Sequence, residues 1–220
     1  MPDALLFDLD GTLLDSDPLH LGVFQSILGP RGYDVDQKFY MARIHGRLNV
    51  EVFAELTPDE DAHAMDIAKE AAFRELLTPG AVAPTPGLIA LLDRAQAMGL
   101  PMAVVTNACR LNADAMLAAI GLADRFAAVI VADECAAGKP DPAPYRAGAA
   151  ALRAKPTRCL AFEDSPTGIA SAQAAGCTVV GMTSSLVPAA LKNAGARYTI
   201  KDFTDPVLAQ LLGAETGAMS

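Results

Sequence analysis

The stretch Ala4-Leu5-Leu6-Phe7-Asp8-Leu9-Asp10-Gly11-Thr12 decides the fold of this chain. Four apolar residues in a row, ended by two aspartates and a glycine, form a buried strand that runs into a tight turn. The apolar residues do not alternate with polar ones, so both faces of the strand are covered, as in a parallel sheet packed between helices. Runs of the same kind recur at 101–105, 127–131, 158–162 and 178–181.

Helical patterns lie between these runs. Thr85-Pro86-Gly87 offers an N-cap and a proline at the first helical position, Leu88, Leu91, Leu92 and Ala95 follow at helical spacing, and Gly99 is the stop. A second helix is expected over 110–120, with Met116, Leu117 and Ile120 inward and Gly121 ending it, and a third over 141–152. Ser165-Pro166 caps a fourth, which ends at Gly176. Strand alternating with helix predicts an α/β fold with a doubly wound parallel sheet.

Residues 16–80 break the rhythm. Leu19, Val23, Phe24, Ile27 and Leu28 share one helical face, Val50, Phe53, Ala54 and Leu56 suggest another, and 59–77 is a charged amphipathic helix. The proline-rich stretch 78–86 returns the chain to the sheet. The organisation expected is a core domain of residues 1–15 and 81–220 with a helical domain, 16–80, inserted after the first strand.

A chain of 220 residues, 52% hydrophobic and 20% charged, is ordinary globular material. Its net charge of −9 argues against a nucleic-acid partner and against docking on an anionic membrane, while leaving a small anionic substrate open. There is no apolar run of the roughly 18 residues that a membrane span needs, and the first residues lack the basic region of a signal peptide. The cysteines Cys109, Cys135, Cys159 and Cys177 are scattered without a CxxC pair, which suits free thiols in a reducing cytoplasm. The acidic charge permits a soluble monomer or weak dimer.

In a parallel α/β sheet, ligands bind beyond the carboxyl ends of the strands. The residues there are Asp8 and Asp10 after the first strand, Thr106 and Asn107 after the second, Lys139 in Gly138-Lys139-Pro140-Asp141 a few residues past the third, and Glu163, Asp164 and Ser165 after the fourth. Alone, each is an ordinary turn, cap or loop residue. Together they form a set of acids with one lysine and hydroxyls. Two like charges about 4 Å apart repel by roughly 4 kcal/mol at an effective dielectric of 20, so converging carboxylates call for a dication with hard oxygen ligands, and Mg²⁺ is the usual one beside phosphate. The metal, Lys139 and the Thr106 hydroxyl could then cradle a phosphoryl group. The nucleotide loops GxGxxG and GxxxxGK[ST] are absent.

These motifs resemble the haloacid dehalogenase superfamily, in the branch of phosphoglycolate phosphatases and β-phosphoglucomutase. Asp8-Leu9-Asp10-Gly11-Thr12-Leu13 is similar to its first motif, Thr106-Asn107 to its second, Lys139 in Gly138-Lys139-Pro140-Asp141 to its third, and Glu163-Asp164-Ser165-Pro166-Thr167-Gly168 to its fourth. The resemblance implies an aspartyl phosphate on Asp8, with Asp10 as general acid and then base. It implies Mg²⁺ held by Asp8, the Asp10 carbonyl and Asp164, with Glu163 assisting directly or through water. Lys139, Thr106 and Asn107 would hold the phosphate. The inserted helices would form a cap over the site, and His20, Gly46 and Arg47 would meet the substrate, with Arg43 as an alternative to Arg47. The second aspartate separates this chain from the metal-free dehalogenases of the superfamily. Thr106-Asn107-Ala108 resembles the phosphatases more than the serine-alanine-serine stretch of the mutases. The expectation is therefore a Mg²⁺-dependent phosphatase of a small phosphorylated metabolite. A sugar-phosphate mutase and a catalytically idle binding relative remain the alternatives.

Overall fold

The computed structural model describes residues 1–45 and 47–213. It divides into two compact units, one of residues 16–81 and one of residues 1–15 with the chain from Val82 onward.

The chain opens with β1 (Ala4–Phe7), buried along its whole length. The helical unit follows: α1 (Asp17–Leu28), α2 (Gln37–Arg43), α3 (Asn49–Leu56) and α4 (Ala62–Leu76). Its core gathers Phe24, Leu28, Tyr40, Val52, Phe53, Leu56 and Met65. The short α2 was not expected; one buried residue, Tyr40, leaves too faint a periodicity to see, and its start is set by the Asp36 carboxylate, which accepts from the Phe39 N–H. The inward face of α3 carries Val52 with Phe53 and Leu56, whereas Val50 is half-buried and Ala54 exposed. At about 100° per residue, position 54 turns away from a stripe centred between 52 and 56. The α4 helix begins at Ala62 rather than 59 because the Asp61 carboxylate accepts from the N–H groups of His63 and Ala64.

The second unit continues with α5 (Leu88–Ala97), β2 (Met102–Thr106), α6 (Arg110–Ala119), β3 (Ala128–Val131), α7 (Ala143–Ala151), β4 (Cys159–Glu163), α8 (Pro166–Ala175), β5 (Thr178–Met182), α9 (Pro188–Ala194), β6 (Tyr198–Ile200) and α10 (Val207–Leu211). Among the described residues, six strands form one parallel sheet in the order β3-β2-β1-β4-β5-β6. The α/β, doubly wound class expected from the sequence is the fold observed. β6, three residues long and only partly buried, carries no continuous apolar run and went unread in the sequence. At the start of α5 the cap differs from expectation: Gly87 is the N-cap, at φ 79°, and the Thr85 hydroxyl instead donates to the Thr12 carbonyl at 2.7 Å. That bond ties the returning chain to the turn after β1.

The strand order fixes where chemistry can sit. From β1 the sheet grows through β2 and β3 on one side and β4 to β6 on the other, so the carboxyl ends of β1 and β4 flank the switch point. These two strands pair with Phe7 opposite Phe162. Their rings stack at 4.8 Å and 8°, with Phe203 edge-on to both and Phe126 edge-on to Phe7. Side chains alternate along a strand. The phenylalanines therefore fill one face, while Leu6 and Ala161 join Tyr145 of α7 in the core of the other. Asp8 and Glu163, the next residues after the phenylalanines, turn to that second face.

Phe162 is wholly buried and central to this aromatic group. Phe162→Ala should lower stability by about 3–5 kcal/mol in urea unfolding; a loss under about 1 kcal/mol would contradict the packing.

Candidate active site

The site is assembled from strand ends. The Asp8 N–H donates to the Phe162 carbonyl at 2.9 Å, which continues the β1–β4 ladder by one residue and fixes the backbone that carries the carboxylate. Glu163 is the last residue of β4, Asp164 follows it, and Ser165 caps α8 by accepting from the Gly168 N–H. Thr106 ends β2. Lys139 lies in the loop between β3 and α7, where the Asn107 side chain holds its backbone on both sides: the Lys139 N–H donates to Asn107 Oδ1 at 3.0 Å, and Asn107 Nδ2 donates to the Lys139 carbonyl at 3.3 Å.

The Lys139 ammonium donates to Asp8 Oδ1 and to Glu163 Oε1, each at 2.6 Å. All three side chains are buried. Glu163 Oε1 also accepts from the Tyr145 hydroxyl at 2.8 Å, and Oε2 accepts from the Ser165 hydroxyl at 3.1 Å and its N–H at 3.4 Å. Both oxygens of this fully buried carboxylate are thus bonded, as a buried charge requires. Asp8, Glu163 and Asp164 each bring an oxygen within 4.8 Å of the others.

Burial pushes the Asp8 carboxyl up to about 7; Lys139 opposes the rise, and Glu163 and Asp10 add to it. Asp164 is raised well above the usual carboxylate range, first by burial and then by Asp8, Glu163 and Asp10. One lysine does not neutralise this group of acids. A divalent cation fits it: the donors are hard carboxylate oxygens, and those of Asp8 and Asp164 face the cluster while Glu163 is already bonded to protein. Two glycines keep the cluster tight. A Cβ on Gly11 would come within 2.1 Å of Asp164 Oδ2, and one on Gly168 within 2.0 Å of the Glu163 carboxylate.

The other expected residues fall into two groups. Thr106 is buried and its hydroxyl oxygen accepts from the Ala108 N–H at 3.0 Å, which leaves the hydroxyl proton for an acceptor. Asn107, expected on a phosphate, has its amide engaged with Lys139. In the helical unit, His20 stacks on Phe73 with ring centroids 4.0 Å apart, and its Nδ1 lies 2.9 Å from Lys69 Nζ. An ammonium only donates, so this nitrogen accepts. Lys69 is itself buried against Glu70 at 2.8 Å. Arg47 pairs with Glu55 at 2.9 Å, and Arg43 pairs with the same carboxylate. Gly46 lies outside the described residues.

Sequence reasoning missed Tyr145, and also Ser184 and Ser185, whose hydroxyls lie 3.4 Å from Asp164 Oδ2. The serines follow β5, so the rule that strand ends carry the site, applied to one more strand, would have found them. Tyr145 had no such signal, because its place depends on how α7 is rotated against the sheet.

Residues 2–176 match the model of the haloacid dehalogenase-like hydrolases. Validoxylamine A 7'-phosphate phosphatase of Streptomyces hygroscopicus subsp. limoneus is 33% identical, over 93% of this chain and 96% of that protein. A phosphoglycolate phosphatase of Rhodospirillum rubrum is 34% identical, over 92% and 88%. Among solved structures, CbbY from Rhodobacter sphaeroides in complex with phosphate aligns with a TM-score of 0.78 at 27% identity, over 93% of this chain and 96% of that one. The chain belongs to the haloacid dehalogenase-like hydrolase family and is an enzyme of that class. No helix among the described residues is long and apolar enough to cross a membrane.

An alanine in place of a helical glycine ordinarily stabilises by up to about 1 kcal/mol. Gly168→Ala should do the reverse and lower the thermal midpoint, because its methyl group would displace the Glu163 carboxylate. A raised midpoint would show that the carboxylate is not wedged there.

Proposed function

We propose that the protein is a phosphoric monoester hydrolase of the sugar-phosphate or phosphoglycolate type that uses Mg²⁺ and an aspartyl-phosphate intermediate. The observation that carries this proposal is the buried Asp8–Lys139–Glu163 array with Asp164 beside it, at the switch point of the sheet. The phosphatase relatives above support the reaction class.

In this mechanism Asp8 attacks phosphorus and the ester P–O bond breaks. Asp10 gives its proton to the leaving oxygen, then takes one from the water that hydrolyses the acyl phosphate, which frees inorganic phosphate and restores Asp8. Asp8, Asp164 and the Asp10 carbonyl would hold Mg²⁺, which when bound neutralises phosphate charge. Lys139 compensates the charge that builds on the phosphoryl oxygens, Glu163 keeps the ammonium in place, and the Thr106 hydroxyl donates to a phosphoryl oxygen with Asn107 supporting the loop. Substrate selection would fall to the helical unit, with His20 and Arg47 as its contacts. The enzyme would act in the cytoplasm on a small phosphorylated metabolite.

Purified protein should release inorganic phosphate from small phosphomonoesters with Mg²⁺ and lose this activity with a chelator. Asp8→Asn should reduce kcat by about a thousandfold or more while the fold is kept. Turnover of no phosphoester would sink the proposal. Isomerisation of β-glucose 1-phosphate with little free phosphate would favour a mutase instead.

A further inference from the structure

Tyr145 is wholly buried, and its ring lies in the apolar core with Leu6, Val105 and Ala161. The α7 helix that carries it approaches the sheet closely: a Cβ on Gly148, one turn on, would meet Val105 Cγ2 at 2.9 Å and Leu6 Cδ2 at 3.3 Å. A phenylalanine would satisfy that packing. A phenol buried in such a place is costly unless its hydroxyl is hydrogen-bonded. The Tyr145 hydroxyl donates at 2.8 Å to Glu163 Oε1, the same oxygen that receives the Lys139 ammonium. The ring also faces that ammonium, with Nζ 5.3 Å from the centroid. One side chain therefore touches both members of the pair that sets the Lys139 charge against Asp8.

The consequence follows from how the ammonium is shared. Lys139 stands 2.6 Å from Asp8 Oδ1 and 2.6 Å from Glu163 Oε1. A donor on Glu163 Oε1 satisfies part of that oxygen's demand, so Glu163 draws less on Lys139. Without the hydroxyl, Glu163 Oε1 loses one of its two donors among the described residues and competes harder with Asp8 for the ammonium. We propose that Tyr145 is a positioning residue, which acts through Glu163 to hold the Lys139 ammonium in place at Asp8 for phosphoryl transfer. The inference rests on the phosphatase reading above.

The test is steady-state phosphate release by Tyr145→Phe with Mg²⁺, using whichever phosphomonoester the wild-type protein hydrolyses. A hydrogen bond to a charged group carries enough energy for a fall in kcat of about tenfold. KM and the Mg²⁺ concentration for half-activity should stay within about twofold, since neither the cap contacts nor Asp164 is touched. Ser171→Ala is the structural control. Its hydroxyl donates to the Asp141 carbonyl at 2.5 Å, so its loss loosens the same loop without touching Lys139. It should keep kcat within about twofold at a similar loss of thermal midpoint. In a double-mutant cycle the Tyr145→Phe effect should vanish in a Glu163→Gln background.

Wild-type-like kcat in Tyr145→Phe overturns the proposal. So does an equal fall in Ser171→Ala, or an effect that survives Glu163→Gln. If Tyr145→Phe is not recovered folded, Glu163→Gln alone decides: a fall of about tenfold or more at unchanged KM is expected, and wild-type kcat overturns the proposal. Absence of phosphate release by the wild type would instead count against the phosphatase reading, so the two failures are distinct.

Discussion

The polar structure of the site depends on the ammonium of Lys139, held between two buried carboxylates at 2.6 Å each. Removing one partner of such a pair leaves an uncompensated buried charge, a far larger loss than the net stabilisation that the intact pair supplies. The neighbouring residues keep all the partners in place. Asn107 brackets the Lys139 backbone, and Tyr145 and Ser165 saturate Glu163. Gly11 and Gly168 leave space that a methyl group would take from Asp164 and Glu163. Parallel strands make the arrangement possible, because each brings a different residue to the same edge of the sheet without a long loop.

Lysine does not exhaust the negative charge. Asp8 is pushed up to about 7 by burial, although Lys139 pulls the other way, and burial raises Asp164 well above the carboxylate range, with Asp8, Glu163 and Asp10 adding to the rise. An array that is strained when fully ionised suits a phosphoryl-transfer site, since a dication and a phosphate dianion can enter it together. An acidic protein can still take an anionic substrate, because local donors decide and the overall charge does not.

Much of this was legible in the sequence. Continuous apolar runs gave parallel strands, and the residues that follow those runs include Asp8, Thr106, Glu163 and Asp164, which a parallel sheet brings together at the carboxyl ends of its strands. Lys139 was legible through its Gly-Lys-Pro-Asp setting. Helical details were less so. Thr85 looked like a cap from its local sequence, yet its hydroxyl is taken by the Thr12 carbonyl, a partner 73 positions away. Tyr145 is one of several residues on α7 that could have faced the sheet, and only the packing of Gly148 against Val105 and Leu6 brings it to Glu163. His20 and Arg47 are similar cases. Phe73 and Lys69 lie on α4 while His20 is on α1, and Glu55 lies on α3 while Arg47 precedes it in the chain, so no spacing rule within one helix announces these partners.

In the proposed mechanism Asp8 carries the phosphoryl group. Rapid quenching during turnover, followed by borohydride reduction, converts an aspartyl phosphate to homoserine, which peptide mass spectrometry locates. Homoserine is expected at position 8, dependent on substrate. Robust turnover with no such product at position 8, or with the label at another residue, would contradict it.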